Sequence, residues 1–503
     1  MPTRSKPLLL AAAALLVAPL ALAKPNPPGT SRSASTAVDT IADDLDAGPW
    51  TDAADKIAAV LADPSQKASH PQAWALLGSA LHKGGLPYAA LTAQVQALKL
   101  DPTAPVDKSA AALAVSRFNE GAWAGGPLAA NLGGGITPEL RGDLAVLGAR
   151  YHFAASDWGP ATALLSLVSP DHPRSVEADV LRGVTLAQQG RHAEAIVPLL
   201  TARERARAED RSPRYINTVT LNVARTFFTM GAFDRAVETY DLVERSDPAW
   251  PTAHYERAWA QFRGGDLGGA LASTLTHRTP FFQNWYFPEA ELLRAQSLFY
   301  LCKFPETQRT MDAFEARYSP LRDAVAAAVA DMSADDALED ARKLRAGEPT
   351  TLPTPVLRRF TWDARLEDTL AAAEQAQAEL SRLSGDAPGA SLAHQILSDR
   401  IQARLRAEGE RVLSLVQDAR ADLDEMLADL ALTRVDLLAL ESRMLQRAAA
   451  GEDMQLGDPI GRLRALKAPG RRVWPYQGEH WADELGHYRV DARAECPANL
   501  LDR

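Results

Sequence analysis

Along most of this chain apolar residues return every three or four positions, and glycine or proline interrupts them every few dozen residues. That period predicts amphipathic helices, because strand side chains alternate every second residue instead. Strand signals are almost absent from Ser35 to about residue 345. Self-similarity along such a run decides the fold, since a fixed period of roughly 20–50 residues identifies stacked supersecondary units.

The helices repeat. One segment reads Trp74, Leu77, Gly78, Leu81, Gly85, Ala90, Ala97 and Pro102. Leu147, Gly148 and Tyr151 open another, and Gly183, Leu186, Gly190, Ala195 and Leu199 follow 35 residues later. Ala224, Phe227, Gly231, Ala236, Tyr240 and Pro248 form the next. Ala258, Gly265 and Ala270 come 34 residues on, then Ala295, Leu298, Phe314 and Pro320 at a spacing of 37. The 70 residues from Gly78 to Gly148 leave room for a degenerate copy around Gly121, Gly125, Gly126 and the Gly133–Gly135 run. Small residues at these places let two helices approach closely, and neighbouring pairs must stack to bury their apolar faces.

This frame resembles the tetratricopeptide repeat, with its W-x2-L-G-x2-Y opening, small residues in the second helix and closing proline. Leu81 replaces the usual tyrosine, and Gln94 stands where an aromatic is common. The resemblance covers roughly residues 50–320 and implies a right-handed α-solenoid that binds proteins or peptides. In that family certain positions of the first helix face a concave groove. They map here onto Arg225, Phe228, Tyr255, Trp259, Phe262, Gln296 and Phe299. Beside them lies an insert carrying Phe281, Phe282, Trp285, Tyr286 and Phe287, which either fills the groove or meets a partner.

Beyond the repeats, Glu348 to Pro355 breaks the helical pattern, and Leu357 to Leu383 resumes it. Ser384 to Ala390 is turn-prone, and Leu392 to Ala449 reads as one helix of roughly 85 Å. Val412, Val416, Ala419, Leu423, Met426, Leu430, Thr433, Leu437, Leu440 and Met444 alternate steps of four and three, a coiled-coil seam. Its predecessor is about half as long, so the helix needs a further partner. The stretch 321–345 or a second protein could supply one, and self-association through this helix is one form of the latter. The expected fold class is therefore all-α: a TPR-like solenoid followed by a long C-terminal antiparallel helical hairpin or coiled coil. The expected divisions are a signal peptide (1–23), a flexible leader (24–49), the repeat domain (50–345), a Pro-rich linker (346–355), the hairpin (356–450) and an aromatic tail (451–503).

The N-terminus sets the compartment. Arg4 and Lys6, an apolar stretch from Pro7 to Leu22, and Ala21-Leu22-Ala23 form a secretory signal pattern with cleavage after Ala23. An uncleaved anchor is the alternative, but Pro19 interrupts a stretch already short for a span. No cysteine follows for lipid attachment, and no later segment is apolar enough to span, so a periplasmic or secreted protein is expected. Losing Arg4 and Lys6 takes the formal charge from −10 to −12, the wrong sign for gripping nucleic-acid phosphates. The two cysteines, Cys302 and Cys496, are too few for a disulfide framework. They read as separate apolar fillers, or as a pair in an oxidising compartment.

No catalytic motif appears: there is no P-loop, no G-x-S-x-G elbow and no H-E-x-x-H. Gly264, Gly265, Gly268 and Gly269 follow no strand and fall in a helix–helix turn. No cofactor is implied. His480, Glu484 and His487 would share one helix face as metal ligands, against a plain reading as a solvated face opposite Trp481, Leu485 and Tyr488. Trp474, Pro475, Tyr476 and Trp481 read as docking on the chain's own helices. The functional expectation is a non-enzymatic scaffold that binds other envelope proteins or peptides. A cell-wall or polysaccharide-processing hydrolase is the rival. N-terminal sequencing of the protein recovered from an envelope fraction should begin at Lys24; a start at Met1 in membranes refutes cleavage.

Overall fold

The computed structural model describes residues 35–101, 103–104, 112, 137–383, 385–451 and 478–490. The signal peptide with its cleavage point, Pro102, the Gly121–Gly135 stretch, Trp474, Pro475, Tyr476 and Cys496 lie outside these residues. Among the described residues every regular element is helical. In chain order they are α1 (Ser35–Ala47), α2 (Trp50–Ala62), α3 (His70–Lys83), α4 (Pro87–Leu100), α5 (Pro138–Ala154), α6 (Trp158–Leu165) and α7 (Ser175–Gln188). Then follow α8 (His192–Ala208), α9 (Pro213–Thr229), α10 (Phe233–Tyr240), α11 (Trp250–Arg263), α12 (Leu267–Arg278), α13 (Pro288–Tyr300) and α14 (Phe304–Val329). The last are α15 (Ala334–Ala346), α16 (Thr354–Leu357), α17 (Ala364–Arg382) and α18 (Pro388–Ala449). Two compact units divide the chain: Met1–Arg191 with Ala364–Glu408, and His192–Asp363 with Gly409–Arg503. α18 therefore contributes to both.

Helices pack as neighbouring pairs, α3 with α4 and α5 with α6 in the first unit, then α9 with α10, α11 with α12 and α13 with α14 in the second. Local chemistry starts them. Thr137 and Ser212 cap α5 and α9, each followed by a proline whose missing N–H is needed nowhere. Ser333 and Asp336 close a reciprocal capping box on α15.

The turns repeat as well. Gly85, Gly190, Gly231 and Gly265 are left-handed, with φ of 67°, 75°, 74° and 81°, and Ser156 (57°) and Cys302 (54°) take the same place. After each, an amide reaches back to satisfy a carbonyl that the ending helix leaves open, as Leu86 N does to Leu81 O and Asp266 N to Gln261 O. Ser156 to Gly190 is 34 residues, to Gly231 a further 41, to Gly265 34 and to Cys302 37. The small residues read from the sequence are buried: Gly78, Gly183, Ala224 and Ala258 in first helices, Ala90, Ala195, Ala236 and Ala270 in second ones. Gln94 explains its own departure from the aromatic norm. Its amide fills the notch at Gly78, where a Cβ would sit 2.6 Å from it, and donates to Ala75 O at 2.7 Å.

Part of the leader read as flexible, and the Pro-rich linker, carry buried residues. The part of the leader from Ser35 on is α1, whose Val38, Ile41 and Leu45 enter the first unit's core. The Pro-rich linker buries Leu352, whose amide donates to Asp340 Oδ2 at 2.6 Å, and Val356 and Leu357 follow it inward. Cys302 is disulfide-bonded rather than a free apolar filler.

Two distant helices complete the first core. Ala372, Ala376 and Leu380 of α17 and Ala393, Leu397 and Ile401 of α18 pack with Ile57, Leu77, Leu81 and Ala90. Arg365 reaches Glu408 at 3.1 Å and Arg404 reaches Thr369 at 3.1 Å, so residue numbers rise on α17 as they fall on α18. Polar pins fix both helices. The buried Glu379 carboxylate accepts from Tyr88 N (2.9 Å) and Ala89 N (3.1 Å), capping α4 with a charge its helix dipole favours. Arg382 donates to Gly85 O and Gly84 O at 2.9 and 3.2 Å. Asp55 accepts from Gly389 N at 2.7 Å, where any Cβ would strike Ala54.

In the second unit the α18 seam is buried as Leu423, Met426, Leu430, Leu437 and Leu440 against Met311, Phe314 and Tyr318 of α14. The seam's partner is thus centred on α14, upstream of the stretch 321–345. That stretch adds Leu321, and Ala334 of α15 abuts Gly409, where a Cβ would collide with its carbonyl.

Glu379→Ala leaves two buried amides without an acceptor, a loss of about 1–3 kcal/mol. Its urea transition should move to lower concentration, with Glu379→Gln, which keeps one acceptor oxygen, shifting less. An unmoved midpoint in the alanine variant removes the cap from the account.

Candidate functional site

α9, α11 and α13 carry the residues mapped to the groove, and each finds a definite place. Arg225 on α9 makes a bidentate ion pair with Glu256 on α11, at 2.8 Å from Nε and 2.6 Å from Nη2. Burial opposes the guanidinium charge, but Glu256 outweighs it and holds the Arg225 pKa above its ordinary value. Tyr255 is buried and its hydroxyl accepts from Trp259 Nε1 at 2.8 Å. Burial, with Glu289 behind it, raises the Tyr255 pKa well above 10.0, so the phenol stays neutral. Phe228 meets Phe233 edge to face at 5.6 Å. Gln296 is half-buried on α13.

The row does not stay together as one open surface. Phe299 is partly buried, packed against the core cluster that α13, α14 and α18 share, and meets Phe304 at 6.5 Å. Trp259 and Phe262 remain half-buried and contact edge to face at 5.9 Å. Phe262 also meets Tyr300 at 5.9 Å, and Tyr300 is 43 % exposed. Tyr300 was not legible as a groove residue, because it lies next to the turn, off the three- and four-residue steps of the groove positions. The exposed aromatic face is thus Trp259–Phe262–Tyr300.

The insert folds against the chain. Phe282 is buried beside Trp250, His277 and Trp285. Trp285 stacks on Phe287 and on Trp362, with the Arg358 guanidinium 5.2 Å from its centroid. Tyr286 donates its hydroxyl to Ala419 O at 2.8 Å. Phe281 alone of the five is exposed, at 48 %.

Around Tyr255 lie buried titratable groups that no sequence motif marks. His254 on α11 and His277 on α12 are both buried, with ring centroids 5.8 Å apart, and His277 Nε2 bonds Pro251 O at 2.9 Å. Burial holds both imidazoles neutral: His277 is lowered to about 4, and His254 well below 6.5 with the neighbouring His277 adding to the effect. Glu289 at the start of α13 is pushed up to about 7, chiefly by burial. Two histidines on adjacent helices and a carboxylate 35 residues past the first give no local motif, so only packing reveals them.

The segment 478–490 lies over this region. Gly486 N donates to Thr276 Oγ1 at 3.1 Å, Arg245 donates to Asp483 O at 2.9 Å, and Val490 packs on the Leu267–Leu271 cluster. Its only helical turn is the 3-10 piece Ala482–Glu484, so His480, Glu484 and His487 do not form the expected helix face. Among the described residues no group of three or more His, Cys, Asp or Glu has metal-binding placement. No described helix is long and apolar enough to cross a membrane. No family model matches the chain, and no curated protein matches it.

The buried titratable groups set opposing pH slopes. An unfolded histidine protonates near 6.5, before the folded His277 does at about 4, so these imidazoles lower stability as pH falls through that window. Glu289 is the reverse. Its folded value of about 7 exceeds its ordinary 4.5, so its penalty is relieved as pH falls from 7 to 4.5. Glu289→Gln removes only that relief. Between pH 7.5 and 4.5 the variant should therefore lose more stability than the parent, by about 1–3 kcal/mol after discounting partial solvation. A smaller acid loss in the variant, read from urea midpoints, contradicts the assignment.

Proposed function

We propose that this chain is a non-enzymatic scaffold of the bacterial cell envelope. It is exported by a cleaved signal peptide and built as a tetratricopeptide-type solenoid with a long helical hairpin. The turn spacings of 34, 41, 34 and 37 residues and the paired packing support the solenoid reading. The Arg365–Glu408 and Arg404–Thr369 contacts support the hairpin. The observation that carries the function is the half-exposed row Trp259–Phe262–Tyr300 on α11 and α13. Large rigid rings on a preformed helical surface offer contact area at small rotamer cost, which suits a peptide or protein segment. Its neighbours Arg225 and Glu256 are already neutralised by each other, so recognition on this face rests on the rings.

Affinity capture from envelope extract with the mature chain, followed by mass spectrometry, should identify the partner. Trp259→Ala should then weaken its binding roughly thirtyfold, equivalent to about 2 kcal/mol, whereas Ser79→Ala on α3 should leave it unchanged. Trp259 also bonds Tyr255, so the melting temperature is measured on the same sample. A destabilised variant that binds normally once folded rules out this face.

A further inference from the structure

We propose that the outward face of α18 between Ala428 and Ala449 is a homotypic interface, on which a second copy of this chain docks antiparallel. The inference does not depend on the identity of any envelope partner.

α18 carries two seams. The first, through Leu430, Leu437 and Leu440, is buried against the second unit's own helices. On the opposite side Ala428, Ala431, Val435, Leu438, Ser442, Leu445 and Ala449 again alternate steps of three and four. That is the spacing that keeps one stripe facing a second helix. Val435, Leu438 and Leu445 on this stripe are 64, 64 and 68 % exposed, and Leu432 on its flank is 66 % exposed. Single exposed leucines need no explanation, but three large aliphatics along one stripe of one helix, with a fourth beside it, do. The first seam accounts for none of them.

The flanking charges select both the occupant and its direction. In heptad terms Arg434 and Glu441 occupy one flank of the stripe, and Leu432, Ala439 and Gln446 occupy the other. A parallel pair sets one flank against the other, so Arg434 would face alanine and Glu441 would face glutamine. An antiparallel pair sets each flank against itself. With Val435 opposite the second copy's Leu438, Arg434 then faces the second copy's Glu441, and two-fold symmetry makes the pair twice. The same register places Ala431 against Ser442 and Ala428 against Leu445, small residues opposite equal or larger ones. Sliding by one heptad, to Val435 against Leu445, would bring Glu441 onto Glu441, so the charges also disfavour the neighbouring register. Arg434 is held in position by Asp312 and Glu315 of α14, at 2.8 and 2.9 Å, with its side chain still 30 % exposed. This stripe is therefore complementary to itself.

Sedimentation velocity and light scattering on the mature full-length chain test the proposal. The expected mass is that of two chains at micromolar concentration, falling to one chain in Val435→Lys and in Leu438→Lys. Both side chains are exposed in the single chain, so circular dichroism should be unchanged. Direction is read with a short bis-maleimide, taking the parent chain as background. Ala431→Cys mixed with Ser442→Cys should cross-link, while Ala431→Cys alone should not, because its two copies would be about 16 Å apart along the axis. A chain that stays monomeric at about 100 μM overturns the proposal, as does a dimer that survives both lysine variants. Cross-linking of Ala431→Cys alone overturns the antiparallel direction.

Discussion

The first unit depends on helix ends that the local sequence cannot satisfy. α4 begins Leu86-Pro87-Tyr88-Ala89, with no side chain at its N-cap able to accept from the first amides. An uncapped end buried in a core is costly, because each orphan N–H has left water without gaining a partner. Glu379 supplies the missing acceptor from 291 positions away, and Arg382, nearly one turn later, covers two carbonyls of the preceding turn. α17 is thus hydrogen-bonded to the backbone at the turn of a helix pair whose apolar face it also covers. Asp55 plays the same part for α18, whose own Pro388-Gly389 start offers no cap. Burial holds these segments together without direction, whereas the caps fix which turn meets which.

A repeating turn is the other constraint. A helix that reverses tightly onto its partner needs one residue at positive φ, which glycine adopts at no steric cost. Four of the six hairpin turns described use glycine, and the period was visible because of them. Ser156 and Cys302 take the same conformation with a side chain present. At those two turns the glycine rhythm breaks although the backbone rhythm does not. Gly264, Gly265, Gly268 and Gly269 also resolve into separate causes. Gly265 makes the turn, and Gly269 leaves room for the Asp266 carboxylate that caps α12.

This separates what the sequence discloses from what it conceals. Helix content, the turn period, the small-residue notches and the α18 seam are local or periodic, and each was legible from spacing alone. The capping role of Glu379, the Arg225–Glu256 pair and the His254–His277 contact join residues on different helices, and no spacing rule predicts them. The readings of the leader as flexible and of Glu348–Pro355 as a helix-breaking linker followed from proline and serine content. They missed that Val38, Ile41, Leu45 and Leu352 lie among those residues and are buried. The groove residues were placed by analogy of position. That put Tyr255 and Phe299 on the row without showing that one is buried and the other packed against the core cluster of α13, α14 and α18.

The same physics explains why so little of the aromatic surface stays open in the second unit. An aromatic-rich insert and a helix with an apolar seam compete for any exposed ring in reach, since each buried ring adds both area and edge-to-face contact. Phe282, Trp285, Tyr286 and Phe287 are satisfied in this way, and Phe299 by the core cluster it packs against. Trp259, Phe262 and Tyr300 stay nearer the surface, where Trp259 meets Phe262 edge to face and Phe262 meets Tyr300 at a tilt. Trp259 is further held by its bond to Tyr255, which fixes the indole before any ligand arrives. A surface ordered by its own internal contacts loses little freedom on binding, and that makes a short exposed row a stronger docking feature than its area alone implies.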